Sequence, residues 1–317
     1  MALWYFQDLH LTKTNHLFLV SLFLLSLVLL FIRNTIKSRA KSNFPPSPPR
    51  LPIIGNLHQL GTFPYRSLAA LSDKYGPLML LHLGQSPTLV VSSSEMLKEI
   101  TKNHDIAFSD RPQTTATNIL FYGSEDVGFA PYGEYWRQAR KLIVLEILSL
   151  KRVQEFQFVR DEEVSRLVDK ARKVSLSGES LDLSQMLIGT SNNIASRCIL
   201  GQRFEDETGR STFGELSRKL MRQLVAFSLA DFFPSLRWID VARGFIARLN
   251  AISREFNSFF DKVIEEHKRR DVGGSDGKDF LDILLRLKRD GMLDFDLSPN
   301  RLKGILTVGL NFITCLD

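Results

Sequence analysis

The stretch Asp126-Val-Gly-Phe-Ala-Pro-Tyr-Gly-Glu-Tyr-Trp-Arg-Gln-Ala-Arg-Lys141 decides how the chain is read, because one short run joins a turn, a helix start and a cluster of cation donors. Pro131 and Gly133 break the backbone pattern, and the helical pattern after them sets Trp136 and Arg140 four apart on one face. Arg offers a planar fork of donors matched to a carboxylate, and Trp adds an indole N–H and a flat apolar wall. The pair suits a flat, apolar ligand with acid groups at its edge. A surface helix whose Trp packs inward satisfies the same spacing, so these residues alone leave both readings open.

With 317 residues and 44% hydrophobic content, the chain can bury a large core, in one big domain or two smaller ones. That excludes a disordered protein. The net charge of +6 is spread along the sequence, with no basic stripe interleaved with aromatics, so no nucleic-acid partner is expected; a membrane surface accounts for the charge as well. Cys198 and Cys315 have neither disulfide-framework nor metal-site spacing, and no metal ligand is assigned. The six histidines form no HxxxH or HxxE pair, so ordinary surface or core roles are expected of each.

Residues 14–32 carry no charge, and 17–32 are almost wholly Leu, Phe, Val and Ile. At about 1.5 Å per helical residue such a run approaches the ~30 Å hydrocarbon thickness of a bilayer, so a transmembrane anchor is expected. A cleaved signal is the alternative, but no small-x-small site follows. Arg33, Lys37, Arg39 and Lys41 follow instead, and the positive-inside rule puts everything after the anchor in the cytosol. The organisation expected is a lumenal terminus at 1–13, the anchor at 14–32, a basic and proline-rich hinge at 33–61 and a folded body at 62–317.

Phe44-Pro-Pro-Ser-Pro-Pro-Arg-Leu-Pro52 cannot enter a helix, and it reads as a stiff, extended spacer that holds the body off the bilayer. A short helix over 65–75 stopped by Gly76-Pro77, strands over 78–83 and 88–91 with a turn at 84–87, and a helix through Lys102 capped by Ser94 come next. Residues 113–128 read as a loop whose Ile119, Leu120, Phe121 and Tyr122 face an interior or a ligand.

In this order the motifs identify more than any one of them does. The anchor, the proline hinge with Leu51-Pro-Ile-Ile-Gly-Asn-Leu57, Lys74-Tyr-Gly-Pro-Leu78, Phe108-Ser-Asp-Arg-Pro112 and the Trp-x-x-x-Arg of 136–140 make the chain resemble a plant microsomal cytochrome P450, a haem-thiolate monooxygenase. The resemblance implies a mainly α fold with a small β-sheet. It implies that Trp136 and Arg140 lie on the family's C helix and bind a haem propionate, that Arg111 reaches a propionate too, and that 112–129 is the first substrate-recognition region. It also implies haem as cofactor, a small apolar substrate, and NADPH-derived electrons delivered by a reductase at the endoplasmic reticulum membrane.

The remainder reads as helix. Val153, Phe156, Val164, Leu167, Val168 and Ala171 suggest an amphipathic helix with one buried side and a solvated charged face. Residues 183–200 end at Gly201, 211–226 follow, and 241–270 carry the stripe Ile246, Leu249, Ile252, Phe256, Phe259 or Phe260, and Val263. The aromatic connection at 227–240 lines the substrate channel in the family and can rest on the membrane. A helix over 279–289 precedes a last one, capped by Ser298 with Pro299 first, that resembles the start of the family's I helix.

After Leu306 no Ala/Gly-Gly-x-Asp/Glu-Thr segment appears, and neither Cys198 nor Cys315 has the Phe, Gly and Arg setting of the family's iron ligand. The monooxygenase domain is therefore expected to be truncated near the start of the I helix, with Leu302, Ile305 and Leu306 lacking partners. No catalytic residue is assigned, and the truncated chain is expected to be inactive. The alternative is a non-catalytic, membrane-tethered helical protein that binds lipid, a reductase or another oxygenase.

Overall fold

The computed structural model describes residues 19–23, 25–26, 44–205, 211–271 and 279–314, with side chains throughout except at 271 and 311–314. They fall into two compact units, one within 1–82 and 87–93 and the other within 83–86 and 94–317. Among the described residues no helix is long and apolar enough to cross a membrane. Of the expected anchor, residues 19–23 and 25–26 are helical and the rest lies outside the described residues, as do Cys315 and residues 33–43 of the hinge.

In the first unit α1 (Pro64–Tyr75) ends at Gly76, whose φ of 102° favours glycine. The strands β1 (Leu78–Leu83) and β2 (Ser86–Val91), which lie in that unit apart from Leu83 and Ser86, pair in a two-stranded sheet. The second strand begins at Ser86, so Pro87 belongs to the strand and not to the turn. The proline run is extended as expected, yet it is no free spacer. Leu80 donates to the Pro46 carbonyl at 2.9 Å, and the fully buried Asn56 donates its amide to Pro48 and Pro49 while accepting from the His82 N–H. Those bonds dock the run onto β1, because buried main-chain groups need partners that prolines cannot supply to one another.

The second unit is helical: α2 (Ser94–Asn103), α3 (Asp105–Phe108), α4 (Thr115–Leu120), α5 (Glu134–Glu146), α6 (Leu150–Glu155), α7 (Gln157–Ser177), α8 (Leu183–Leu200), α9 (Thr212–Leu224), α10 (Leu229–Phe232), α11 (Arg237–Ala242), α12 (Phe245–Asp271), α13 (Phe280–Arg289) and α14 (Pro299–Thr314). Ser94 is the first residue of its helix and not its cap. The stretch expected to be a loop contains α4, closed by a reciprocal capping box between Thr114 and Thr117. Leu120 and Phe121 are buried there, as expected. The long helix starts at Phe245, because Gly244 at φ 69° separates it from α11.

Leu249, Ile252, Phe256, Phe260 and Val263 of α12 pack with Phe213 and Leu220 of α9 and Phe280 and Leu281 of α13 into one core. Burial of this kind contributes about 25 cal/mol per Å² of apolar surface. Two expectations fail here. On α7, Val164 and Val168 are half exposed, while Val159 and Glu163 are buried, so one member of the charged face turns inward. On α14, Leu302, Ile305 and Leu306 are buried, because the helix packs along α8; a Cβ at Gly309 would lie 3.3 Å from the Ile199 Cδ1.

Candidate functional site

The loop ahead of α5 is held by its own first residue. Asp126 is fully buried, and its Oδ1 accepts from the N–H of Gly128 at 2.6 Å and of Phe129 at 3.0 Å, while the Ala130 N–H returns to the Asp126 carbonyl. Such a turn leaves the Val127 carbonyl pointing outward, and the Trp136 indole N–H donates to it at 3.0 Å. Burial pushes the Asp126 carboxyl up to about 6, against the pull of the two N–H donors. Its Oδ2 is buried with no hydrogen-bond partner.

From Gly133, in extended backbone, α5 then carries Trp136 and Arg140 on one face. The Arg140 guanidinium lies 5.2 Å from the Trp136 ring centroid, the Tyr132 ring 5.6 Å from that of Trp136, and Arg137 5.7 Å from Tyr132. The result is a cluster of two rings with a cation over each. Arg137 is tied to Glu134, whereas Arg140 is exposed and makes no ion pair among the described residues, so its donor fork is open to an anion.

An adjoining face of α5, at Tyr135, is locked to the body. The Tyr135 hydroxyl donates to the Glu125 carbonyl at 2.7 Å, its ring lies edge-on to Phe295, and Arg301 of α14 sits 4.5 Å above it while reaching Glu125 at 3.6 Å. Burial drives the Tyr135 phenol pKa upward. A Cβ at Gly304 would lie 2.8 Å from the Glu125 carbonyl oxygen, so α14 passes directly over the turn.

Arg111 is exposed, and it lies between two tethers to the same loop. Asp110 accepts from the Tyr132 N–H at 2.8 Å, and Gln113 donates to the Phe129 carbonyl at 2.8 Å. The fold thus brings the Arg111 segment against the turn that precedes Trp136. Thr115 on α4 is anchored through its N–H and hydroxyl to Asp231 of α10, which fixes the loop's other end.

For a haem, the donor set fits the acid edge: an unpaired guanidinium stacked on an indole, with a second exposed Arg on the neighbouring segment. The indole N–H is already given to Val127, so the ring acts here as a wall, and Arg140 carries the open donors. The iron side differs. Cys198 lies within α8, and burial pushes its thiol up to about 11 against the pull of Arg160 and Arg197, which disfavours a thiolate.

Two clusters escaped the sequence reading. Buried His267 faces acceptors through both ring nitrogens, the Val263 carbonyl at 2.8 Å and Asp279 Oδ2 at 3.1 Å, with Asp282 at 4.0 Å; an Asp twelve residues away makes no recognisable spacing. Burial opposes its charge, but Asp279 and the other acceptors hold its pKa above the ordinary imidazole value. Glu163 takes Arg197 at 2.7 Å and Arg203 at 2.6 Å. It lines a polar cleft of about 710 Å³ between α7, α8 and α9, which shares no lining residue with the Trp136 region.

The cytochrome P450 family model matches residues 45–305. Phenylacetaldehyde oxime monooxygenase from Prunus mume is 54% identical over 302 residues, covering 93% of this chain and 57% of that protein. Desmethylyatein synthase from Sinopodophyllum hexandrum is 42% identical and indoleacetaldoxime dehydratase from Arabidopsis thaliana 44%, each over 90% of this chain and 57% of the relative. The chain spans little more than half the length of these relatives. A solved zebra fish cytochrome P450 structure with progesterone superposes with a TM-score of 0.64 at 23% identity, over 78% of this chain and 56% of that one, and so shares the fold.

Proposed function

The chain belongs to the cytochrome P450 family, and on that premise we propose that it forms the propionate side of a haem-dependent monooxygenase acting on small apolar plant metabolites. The observation that carries the reading is the Arg140 guanidinium, stacked on Trp136 and free of ion pairs among the described residues. Arg140 holds one acid group of the haem, Trp136 supplies the flat wall beside it, and Arg111 lies on the adjoining segment for a second contact. When bound, the haem supplies the oxygen chemistry, with electrons drawn from NADPH through a membrane reductase.

The relatives named for phenylacetaldehyde oxime and indoleacetaldoxime support an aromatic aldoxime as substrate class. The loop over 112–129 suits such a ligand, since the buried Phe121 ring lies 5.0 Å from that of Phe129 and offers an aromatic wall. Residues 14–32 anchor the chain in the endoplasmic reticulum membrane with the body in the cytosol. Exposed Val225, Phe227, Trp238 and Val241 around α10 and α11 provide an apolar rim for the lipid surface.

Haemin titration of the purified chain tests the site. Arg140→Ala removes a charge-assisted contact worth about 1.5–3 kcal/mol, which weakens retention roughly 10- to 150-fold. Equal haemin affinity in the two proteins refutes the assignment.

A further inference from the structure

We infer that Asp126 is the positioning residue of this cradle: through the turn it closes, it holds the Val127 carbonyl against the Trp136 indole and so fixes the wall on which Arg140 stacks. The inference rests on the haem reading for its purpose but not for its geometry.

The chain of contacts is short and fully buried at its origin. One carboxylate oxygen takes two consecutive N–H groups, Gly128 and Phe129, which are the donors a free loop would give to water. With those two amides turned inward, the peptide between Val127 and Gly128 has its carbonyl facing away, toward α5. The indole N–H reaches nine residues back to meet it, so the side chain of Trp136 is referenced to the loop and not only to its own helix. Among the described residues no acid pairs with Arg140, and its guanidinium lies over the indole ring. Its guanidinium is therefore placed by a ring that is placed by Asp126.

The setting leaves little room for the turn to relax. A Cβ on Gly128 would come within 3.0 Å of Asp126 Oδ1, and α14 crosses above through Gly304. The charged and titratable groups around the carboxylate are Glu125 beside it, Tyr135 on α5 and Arg301 on α14. Arg301 is engaged with Glu125 and the Tyr135 ring, so among the described residues no cation pairs with Asp126. Keeping an uncompensated carboxylate in a buried turn is costly, and the position gains from it two fixed amides and an oriented carbonyl.

The test uses the full chain with Trp4 and Trp238 changed to Phe, leaving Trp136 as the sole indole. A parallel chain retains only Trp238. Asp126→Ala is expected to shift Trp136 emission to the red and raise its acrylamide quenching about twofold, while the Trp238 reporter stays unchanged. Asp126→Asn, which keeps the acceptor oxygen, is expected to restore the parent values. Equal changes at both reporters, or none at Trp136, overturn the inference, and so does failure of Asn to restore the signal. If Asp126→Ala does not fold, as judged by circular dichroism, the Asn variant decides by its match to the parent. Haemin titration of the same proteins separates the two claims. Retention indifferent to Arg140→Ala, with Trp136 still responding to Asp126→Ala, refutes the haem reading and keeps the positioning role; the converse refutes the positioning role alone.

Discussion

Replacing Asp126 by Asn should make the chain's stability respond less to pH, and the size of the change follows from the site. The carboxyl titrates at about 6 in the fold, because it is fully buried, and near 3.8 in the unfolded chain. With the folded value raised, its contribution is fully present below about 3.8 and is lost as pH rises through about 6. The full cost of charging it in place is about 3 kcal/mol, at ~1.4 kcal/mol for each tenfold change in proton affinity. Between pH 4.5 and 7.5 about 2 kcal/mol of that cost accrues. Asn carries no such term. Urea unfolding of the two proteins at both pH values should therefore show the difference in unfolding free energy moving by about 2 kcal/mol toward the Asn variant at the higher pH. A difference that stays constant within about 0.5 kcal/mol would refute the claim that the carboxylate is buried and uncompensated.

Glu163 should respond with the opposite sign. Burial pushes its carboxyl up, but the Arg203 and Arg197 guanidiniums outweigh that and hold it below the ordinary range. Its stabilisation is thus present above the unfolded value near 4.5 and lost as pH falls through the lower folded one. Glu163→Gln, by urea unfolding at pH 7, should cost about 1.5–3 kcal/mol, since Arg197 and Arg203 lose a buried acceptor but, themselves partly exposed, keep Glu162 beside them. For the pair of His267 and Asp279, the folded imidazole pKa is raised, so the stabilisation is present below about 6.5 and fades as pH rises past the folded value. Asp279→Asn should remove roughly 1.5–3 kcal/mol at pH 6 and progressively less toward pH 9, as read by thermal or urea unfolding.

What the sequence made legible was local. Gly201 ends α8, and Ser298 with Pro299 opens α14, because each acts on backbone groups within one turn; the Arg301 N–H indeed meets Ser298 Oγ at 3.2 Å. The stripe from Leu249 to Val263 was readable because α12 is long enough for period to show. Helix α4 was hidden because its box is Thr to Thr, without the acidic or amide residue that normally signals one. Tertiary partners set the burial of Glu163, with Arg197 and Arg203 arriving from 34 and 40 residues away, and periodicity alone pointed to Val164 and Val168 instead. The partners of Leu302, Ile305 and Leu306 on α8 were likewise invisible to a linear reading.

At the candidate site the spacing of Trp136 and Arg140 was legible as one helix face, and the stacking distance of 5.2 Å agrees with it. Their roles came only from the resemblance. The indole's attachment to Val127 was not legible, since a hydrogen bond nine residues back depends on how the Asp126 turn closes. That bond changes the division of labour: the open donors toward an acid group belong to Arg140.

Haemin titration of the parent chain against Arg140→Ala tests the central claim most directly. Affinity is expected to be weaker by roughly 10- to 150-fold in the variant, with the circular dichroism spectrum unchanged. Identical affinities would contradict it.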